Sequence, residues 1–292
     1  MEKEKKVKKQ IKPFVLKKEA KLLPGYIFVG LWVAFTAVIL IWILGASLST
    51  ARDIYSGSVF KFTTGVHFKN YISAWKSQNI AVFFANSLLY ATTSCAFTLL
   101  ISAPAAYVLS RFIFPGSKLI KSGLLTAMSV PVIMVILPVF SLTSAMNVND
   151  SRWLLIVLYT FLNVPFTTIF LLNFFGTLSP TFEEAAAIDG CSPMKTFWKI
   201  MLPLAQPGMI TVAIFNFLNV WNEYFLALIF AGSNEMKNVG VGLFAMVNSM
   251  KATGNLGGLF AAVVIVFLPT FLIYVFMSEK IIAGVTGGGI KG

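Results

Sequence analysis

Between two long apolar segments of this 292-residue sequence lies a dense acidic cluster, with Glu183, Glu184 and Asp189 falling within seven positions in the stretch Ser179-Pro180-Thr181-Phe182-Glu183-Glu184-Ala185-Ala186-Ala187-Ile188-Asp189-Gly190. Carboxylates so spaced could act as general acid and base, hold a cation, or meet a basic surface on another protein. Catalysis needs companions that the chain lacks. Its single histidine, His67, has no partner nearby in sequence, so no serine–histidine–acid set is credible and His67 reads as a surface residue. No cysteine or histidine spacing suits zinc or haem, and Cys95, inside an apolar run, shares no plausible compartment with Cys191 for a disulfide. No Gly-x-x-x-x-Gly-Lys-Ser/Thr occurs, so the chain has no P-loop to cradle nucleotide phosphates. The expectation is a protein with no catalytic residue, no metal site and no bound cofactor, whose acidic stretch is a docking element.

Local signals mark that stretch as two short helices. Ser179 fits the N-cap, Pro180 the first helical position, and Glu183 and Glu184 the first turn, where the helix dipole favours negative charge. Alanines fill the middle and Gly190 is a natural stop. A second helix is predicted from Ser192-Pro193 through Ile200, ending at Pro203, with Phe197 and Trp198 available to a partner's groove.

The elements that carry this loop are membrane spans. The chain is 57% hydrophobic and 12% charged, with mean hydropathy +0.81, whereas a soluble protein carries about 25% charged residues. Six charge-free stretches follow one another: Leu22–Ala51, Ser77–Ser110, Ser122–Asn149, Trp153–Phe182, Ile200–Asn222 and Ala252–Ser278. A spanning helix needs about 20 apolar residues, so each holds one span and none holds two. The first is too long for the apolar region of a cleaved signal peptide and reads as a retained anchor. Six helices are predicted, near 24–48, 82–109, 120–145, 152–176, 204–231 and 257–279, the fifth running through Glu223. With the N-terminus inside, 16 Lys and Arg fall on the cytoplasmic side and seven on the other, which places both termini and loop 177–203 in the cytoplasm. This placement of the basic residues also excludes a nucleic-acid reading of the +12 net charge. Residues 1–21, with nine lysines, form a basic arm that orients the first helix and meets anionic lipid.

The spacing Glu184-Ala185-Ala186, three residues, Gly190, nine residues, Ile200, one residue, Leu202-Pro203 resembles the EAA loop of bacterial ABC-importer permeases at every position. The ending Gly288-Gly289-Ile290-Lys291-Gly292 resembles the Gly-x-Val-Lys-Gly tail of the carbohydrate branch, that of the maltose-transporter MalG-type subunit, with isoleucine in place of valine. The resemblance implies an all-α polytopic protein with the type I importer permease fold, lodged in a bacterial or archaeal cell membrane. It implies that Glu183, Glu184, Ala185, Ala186, Asp189, Gly190, Ile200, Leu202 and Pro203 couple the chain to a cytosolic ATPase. It also implies that Ile290, Lys291 and Gly292 contact the ATPase pair. The partners implied are a second permease subunit in a heterodimer, two ATPase subunits that use ATP and Mg, an extracytoplasmic binding protein, and a carbohydrate. The outer loop 232–256 either reaches that binding protein or is a flexible connector.

One polar patch lies at membrane depth. Asn216, Asn219, Asn222 and Glu223 fall on the fifth span, and a carboxylate there costs roughly 2.5–3.5 kcal/mol unless it faces protein or water. The patch is either a translocation path or an interhelical hydrogen-bond cluster. The organisation is thus arm 1–21, first span 22–48, extracytoplasmic loop 49–80, permease core 82–279 with coupling loop 179–203, and tail 280–292. Two further readings stay open: an ion-coupled secondary transporter or channel using Glu223, and glycerol phosphate or another polyol as substrate. The sequence does not name the sugar.

Overall fold

A computed structural model describes residues 21–77 and 79–287. The basic arm up to residue 20 and the tail residues Ile290, Lys291 and Gly292 lie outside the described residues. The chain folds as helices α1 (Leu23–Ser47), α2 (Ala51–Tyr55), α3 (Lys69–Ser77), α4 (Ile80–Arg111), α5 (Ser117–Ser129), α6 (Val132–Ala145), α7 (Arg152–Thr177), α8 (Thr181–Ile188), α9 (Pro193–Leu204), α10 (Gln206–Trp221), α11 (Phe225–Phe230), α12 (Val239–Thr253) and α13 (Leu256–Gly287). Of these, α1, α4, α7 and α13 are each long and apolar enough to cross a membrane, and two bent pairs, α5–α6 and α9–α10, are so when taken together.

The bends correct two expected helices. The third span is not one helix over 120–145: α5 and α6 meet at 96° around Val130-Pro131. Proline disfavours helical geometry in the residue before it and has no N–H to give, and Val130 is accordingly extended (φ −79°, ψ 119°). The fifth span does not run through Glu223. Helix α10 stops at Trp221, and α11 starts afresh at Phe225. At its other end α10 meets α9 at 73°. There α9 also differs from expectation, since Pro203 does not end it. A π turn over Phe197–Met201 widens the helix just before the proline ring, which would meet the Lys199 carbonyl in a regular turn.

Helices α4 and α7 form the central pair of the bundle, in the most extensive helix contact among the described residues. Small and hydroxylated side chains let their backbones approach, and two of them hydrogen-bond across: Thr98 Oγ1 to the Thr160 carbonyl (3.3 Å) and Ser102 Oγ to the Val164 carbonyl (3.4 Å). Two cores result, one at each end. Tyr90, Ile136, Leu155, Tyr159, Val220 and Phe230 pack at the end near loop 232–238. Tyr107, Leu171, Phe174, Phe175, Phe197 and Met201 pack at the end that carries α8 and α9. In the second of these cores Gly208 lets α10 close on α7, because a Cβ there would lie 2.6 Å from the Phe174 ring. Helix α1 buries nothing until Gly45 and leans along α13, leaving Leu31, Trp32 and Phe35 exposed, a face suited to lipid or another membrane chain.

The 49–80 segment is folded rather than slack. Asn70 Nδ2 donates to the carbonyls of Ser47 and Ser49, each at 3.0 Å, tying α3 to the end of α1. His67 is half-buried, its Nε2 2.9 Å from Thr64 Oγ1. Asp53, in the first turn of α2, is buried and accepts hydroxyl hydrogen bonds from Thr63, Thr50 (2.8 Å) and Thr64 (3.3 Å). Those bonds, that from Thr63 foremost, hold its carboxyl below the usual carboxylate range, against the opposing pull of burial. The sign follows from linkage. A carboxyl whose pKa is lower folded than unfolded stabilises the fold above its unfolded value of about 3.9 and loses that contribution as pH falls through the folded value. The native chain is therefore expected to lose more thermal stability than Asp53→Asn between neutral pH and pH about 3. Equal acid sensitivity of the two in detergent melts would contradict this.

Candidate functional site

Helix α8 begins one residue later than its sequence signals suggest, within the usual uncertainty of helix ends. Pro180 is the N-cap, and Ser179 Oγ accepts from the Thr181 N–H at 3.3 Å. Its other end is closed by a glycine-dependent motif. Gly190 adopts φ +73°, its N–H donates to the Ala187 carbonyl at 3.0 Å, and the Cys191 N–H donates back to the Ala186 carbonyl at 2.9 Å. This is the six-to-one and five-to-two pairing that ends a helix in a left-handed residue. Ser192 then caps α9, its Oγ accepting from the Lys195 N–H at 3.4 Å, with Pro193 in the first turn.

The two short helices have distinct inner and outer faces. Phe197 was expected to face a partner with Trp198. Instead it is 3% exposed and packs on Tyr107 (ring centroids 5.1 Å) and Phe175 (6.4 Å), while Trp198 is half-exposed. In the π turn over Phe197–Met201 the inward side falls to Phe197 and Met201, one turn apart, while Met194 before it stays exposed. Ala186 and Met201 are buried as well, and Ile200 and Leu202 are partly buried against the same core. Outward face Glu184, Ala185, Asp189, Pro203, Met194, Lys195 and Ile188, the last 87% exposed. Glu183 is turned aside: its Oε1 lies 2.8 Å from Arg111 Nε at the end of α4. The loop thus presents an apolar and acidic outer face on a base bolted to α4 and α7.

The polar patch of the fifth span separates into parts. Asn216, 1% exposed, exchanges hydrogen bonds with Thr167 on α7 (3.0 and 3.2 Å) and lies between helices. Asn222 is exposed and donates to the Leu218 carbonyl at 2.8 Å. Asn219 and Glu223 line a cavity of about 330 Å³ between α6, α7 and α10. Asn219 Nδ2 donates to Asn163 Oδ1 (2.8 Å) and the Tyr159 hydroxyl donates to Glu223 Oε2 (2.8 Å). Asn163 and Tyr159 line the cavity too and were missed; four apart on one helix face, they were visible as polar groups in the charge-free Trp153–Phe182 stretch.

The Glu223 carboxylate also explains why the fifth helix breaks. It accepts the N–H groups of Leu226 (2.6 Å) and Ala227 (3.2 Å), so it caps α11. Its backbone carbonyl accepts from Asn238 Nδ2 at 2.6 Å, and Asn238 Oδ1 caps α12 by accepting the Val241 N–H at 3.0 Å. Loop 232–238 is stapled to α4 by Asn86, which donates to the Glu235 and Lys237 carbonyls (2.7 and 2.9 Å), and by Tyr90, which donates to that of Met236 (2.8 Å). The segment expected as a loop over 232–256 is therefore mostly a helix fixed to the bundle.

A bundle of apolar helices with a polar cavity on one side and a protruding, capped helix pair on the other is the architecture of a membrane permease. The chain belongs to the family of inner-membrane components of binding-protein-dependent transport systems, whose model matches residues 98–280. It is a multi-pass protein of the cell membrane and a permease subunit of an ABC importer. It is 35% identical to the diacetylchitobiose uptake permease NgcG of Streptomyces coelicolor, over 89% of this chain and 86% of that protein. It is 32% identical to the sulfoquinovosyl glycerol transport permease SmoH of Agrobacterium fabrum, over 86% and 88%. It is also 27% identical to the trehalose transport permease SugB of Mycobacterium tuberculosis, over 89% and 94%. Its fold matches a chain of a bacterial ABC transporter involved in import of the acidic polysaccharide alginate, with TM-score 0.78 over 91% of this chain and 98% of that one, at 21% identity.

Proposed function

We propose that this permease passes a sugar or oligosaccharide delivered by an extracytoplasmic binding protein, pairs with a second, unlike permease, and is driven by two cytosolic ATPase subunits that bind ATP and Mg. The observation that carries the reading is the α8–Gly190–α9 loop. Its outer face offers Glu184, Asp189, Ile188 and Met194 to a partner, while its inner face is packed on the ends of α4 and α7. A rigid loop of this kind transmits displacement instead of absorbing it. ATP-driven closure of the ATPase pair would pull the loop, and with it α4 and α7, and so change which side of the membrane reaches the Asn219–Glu223 cavity. With the loop in the cytoplasm, as the Lys and Arg distribution implies, the termini would share that side, and the resemblance of the tail supports a contact of Ile290, Lys291 and Gly292 with the same partner.

The sugar assignment rests on the relatives' substrates and on the cavity. Its polar groups are Tyr159, Asn163, Asn219 and Glu223, with Phe225 and aliphatic side chains around them and no Lys, Arg or His in the lining. Amides and a carboxylate suit hydroxyl groups, and apolar and aromatic walls suit sugar ring faces. A phosphate ester such as glycerol phosphate would meet only the negative charge of Glu223 there. The ion-coupled alternative is disfavoured because both Glu223 oxygens are already engaged with N–H and O–H donors. Purified complex in sealed vesicles decides between them. ATP trapped on the loop side is expected to drive sugar uptake with no ion gradient. Uptake by this chain alone, following a proton or sodium gradient, would overturn the reading.

A further inference from the structure

The sequence groups Glu183 with Glu184 as a pair facing the ATPase, but the structure gives them different surroundings. Glu184 is exposed and has no partner among the described residues. The Glu183 and Arg111 side chains are 20% and 14% exposed, and their ion pair closes at 2.8 Å. Arg111 is the last residue of α4, a span separated by 72 positions from the acid it meets. Its Nη2 donates to the Leu178 carbonyl at 2.7 Å, the C-cap of α7, just before α8 begins. Tyr107, one turn back on α4, packs its ring on Phe175 of α7 and Phe197 of α9. One guanidinium therefore joins the end of α4, the end of α7 and the first turn of α8.

We infer that Arg111 and Glu183 form a strut that makes α8 move as one body with α4, so that Glu183 is a positioning residue for coupling while Glu184 and Asp189 do the docking. Covalently, α8 joins α7 through Leu178-Ser179-Pro180 and α9 through Asp189-Gly190-Cys191-Ser192, and its own contact with α4 is the ion pair. Without the strut, α8 could swing about these two linkers, and α4 would follow only through the Phe197–Tyr107 ring contact. With it, the pull reaches the helix that holds the far-side staple to loop 232–238 through Asn86 and Tyr90. The fork geometry of arginine suits this task, since one planar group holds a carboxylate and a carbonyl at a fixed angle, which a lysine cannot do. The pair is shielded enough that solvent and salt weaken it less than a free surface pair.

The inference rests on the proposed docking of the loop to an ATPase, and the test separates the two. In the complete importer, with Cys95 and Cys191 replaced by serine, a single cysteine is placed at Asn219 in the cavity. Its labelling by a membrane-impermeant maleimide is followed with and without an ATP analogue. Copurification of the ATPase is scored in parallel. Nucleotide is expected to change the labelling rate about tenfold in the parent and less than about twofold in Arg111→Ala and in Glu183→Ala, with the ATPase still bound. Arg111→Lys is expected to fall between, and the swap Arg111→Glu with Glu183→Arg to recover part of the response. A merely destabilised subunit would lose ATPase copurification and labelling response together. The inference is overturned if the single variants keep the full nucleotide response, if they release the ATPase, or if the swap recovers nothing. Glu184→Lys tests the docking itself: an ATPase still bound to that variant would remove the reading on which the strut depends, whatever Arg111 does.

Discussion

Glu184→Lys is expected to abolish ATP-driven sugar uptake, by at least about a hundredfold, with the chain still in the membrane at its normal amount. The two halves of this expectation have separate causes. Glu184 is exposed and unpaired among the described residues, so its replacement touches no core contact, and surface changes of that kind stay within about 0.5 kcal/mol. A lysine in the first turn of α8 adds an unfavourable dipole interaction of about 0.3–1 kcal/mol, too little to unfold the loop. At the docked face the effect is larger, because reversing a charge aligned with a partner removes the attraction and sets like charges against each other, on the order of 3–5 kcal/mol or at least about a hundredfold in affinity. Gly190 offers an independent check on the same loop. At φ +73° a β-branched side chain is strained, so Gly190→Val breaks the motif that aims α9 and is expected to cut uptake similarly. Gly190→Asn, which tolerates the left-handed region, is expected to keep most of it. Uptake within about threefold of native in both Glu184→Lys and Gly190→Val would contradict a docking loop.

The second large effect is expected at Glu223. Removing its side chain leaves the partly buried Leu226 and Ala227 N–H groups and the Tyr159 hydroxyl without their acceptor. Hydrogen bonds to a charged group contribute about 1.5–3 kcal/mol each, and they share one carboxylate, so Glu223→Ala is expected to cost on the order of 3–5 kcal/mol. For a chain of this size that corresponds to a melting temperature lower by roughly 10 °C in detergent, with uptake lost. Glu223→Gln keeps a carbonyl oxygen for the α11 cap, and its amide can turn toward the Tyr159 oxygen, so it is expected to lose less than about half as much stability and to retain uptake. An ion-coupling carboxylate would behave otherwise, since glutamine would then be as inactive as alanine. That outcome would return the ion-coupled reading to the front.

The α8–Gly190–α9 loop could be read from sequence because its determinants are local. Ser179-Pro180, the first-turn glutamates, Gly190 and Ser192-Pro193 all act on backbone within a few residues of themselves, and the structure shows α8, the left-handed Gly190 and capped α9 where those signals lie. The same holds for the charge-free stretches that became α1, α4, α7 and α13. What stayed hidden depended on distant partners. A proline inside a membrane helix is tolerated at Pro104 and Pro165 yet breaks the chain at Pro131, and nothing within a few residues distinguishes the cases. Glu223 could have sat inside a long helix. It instead caps a new one because Tyr159, 64 positions away, and Asn238 hold it there. Helix α12 had a cap at each end in plain view, Asn238 and Gly254. It was obscured by Gly240 and Gly242, which argue against a helix on propensity alone. The structure gives their reason: a Cβ at Gly240 would lie 2.9 Å from the Glu223 carbonyl, and one at Gly242 2.1 Å from the Phe83 ring. Likewise Phe197 was expected with Trp198 in a partner's groove, and only the packing of Tyr107 and Phe175 reveals that it faces inward.

The central claim is that α8 and α9 are gripped by a soluble partner on the cytoplasmic side. A cysteine at Ile188, the most exposed apolar side chain of the loop, tests it directly once Cys191 is serine. The account predicts no labelling by an impermeant maleimide in intact cells, labelling in inside-out vesicles stripped of the ATPase, and protection when the ATPase is restored. Labelling from outside intact cells, or equal labelling of stripped and reconstituted vesicles, would contradict it.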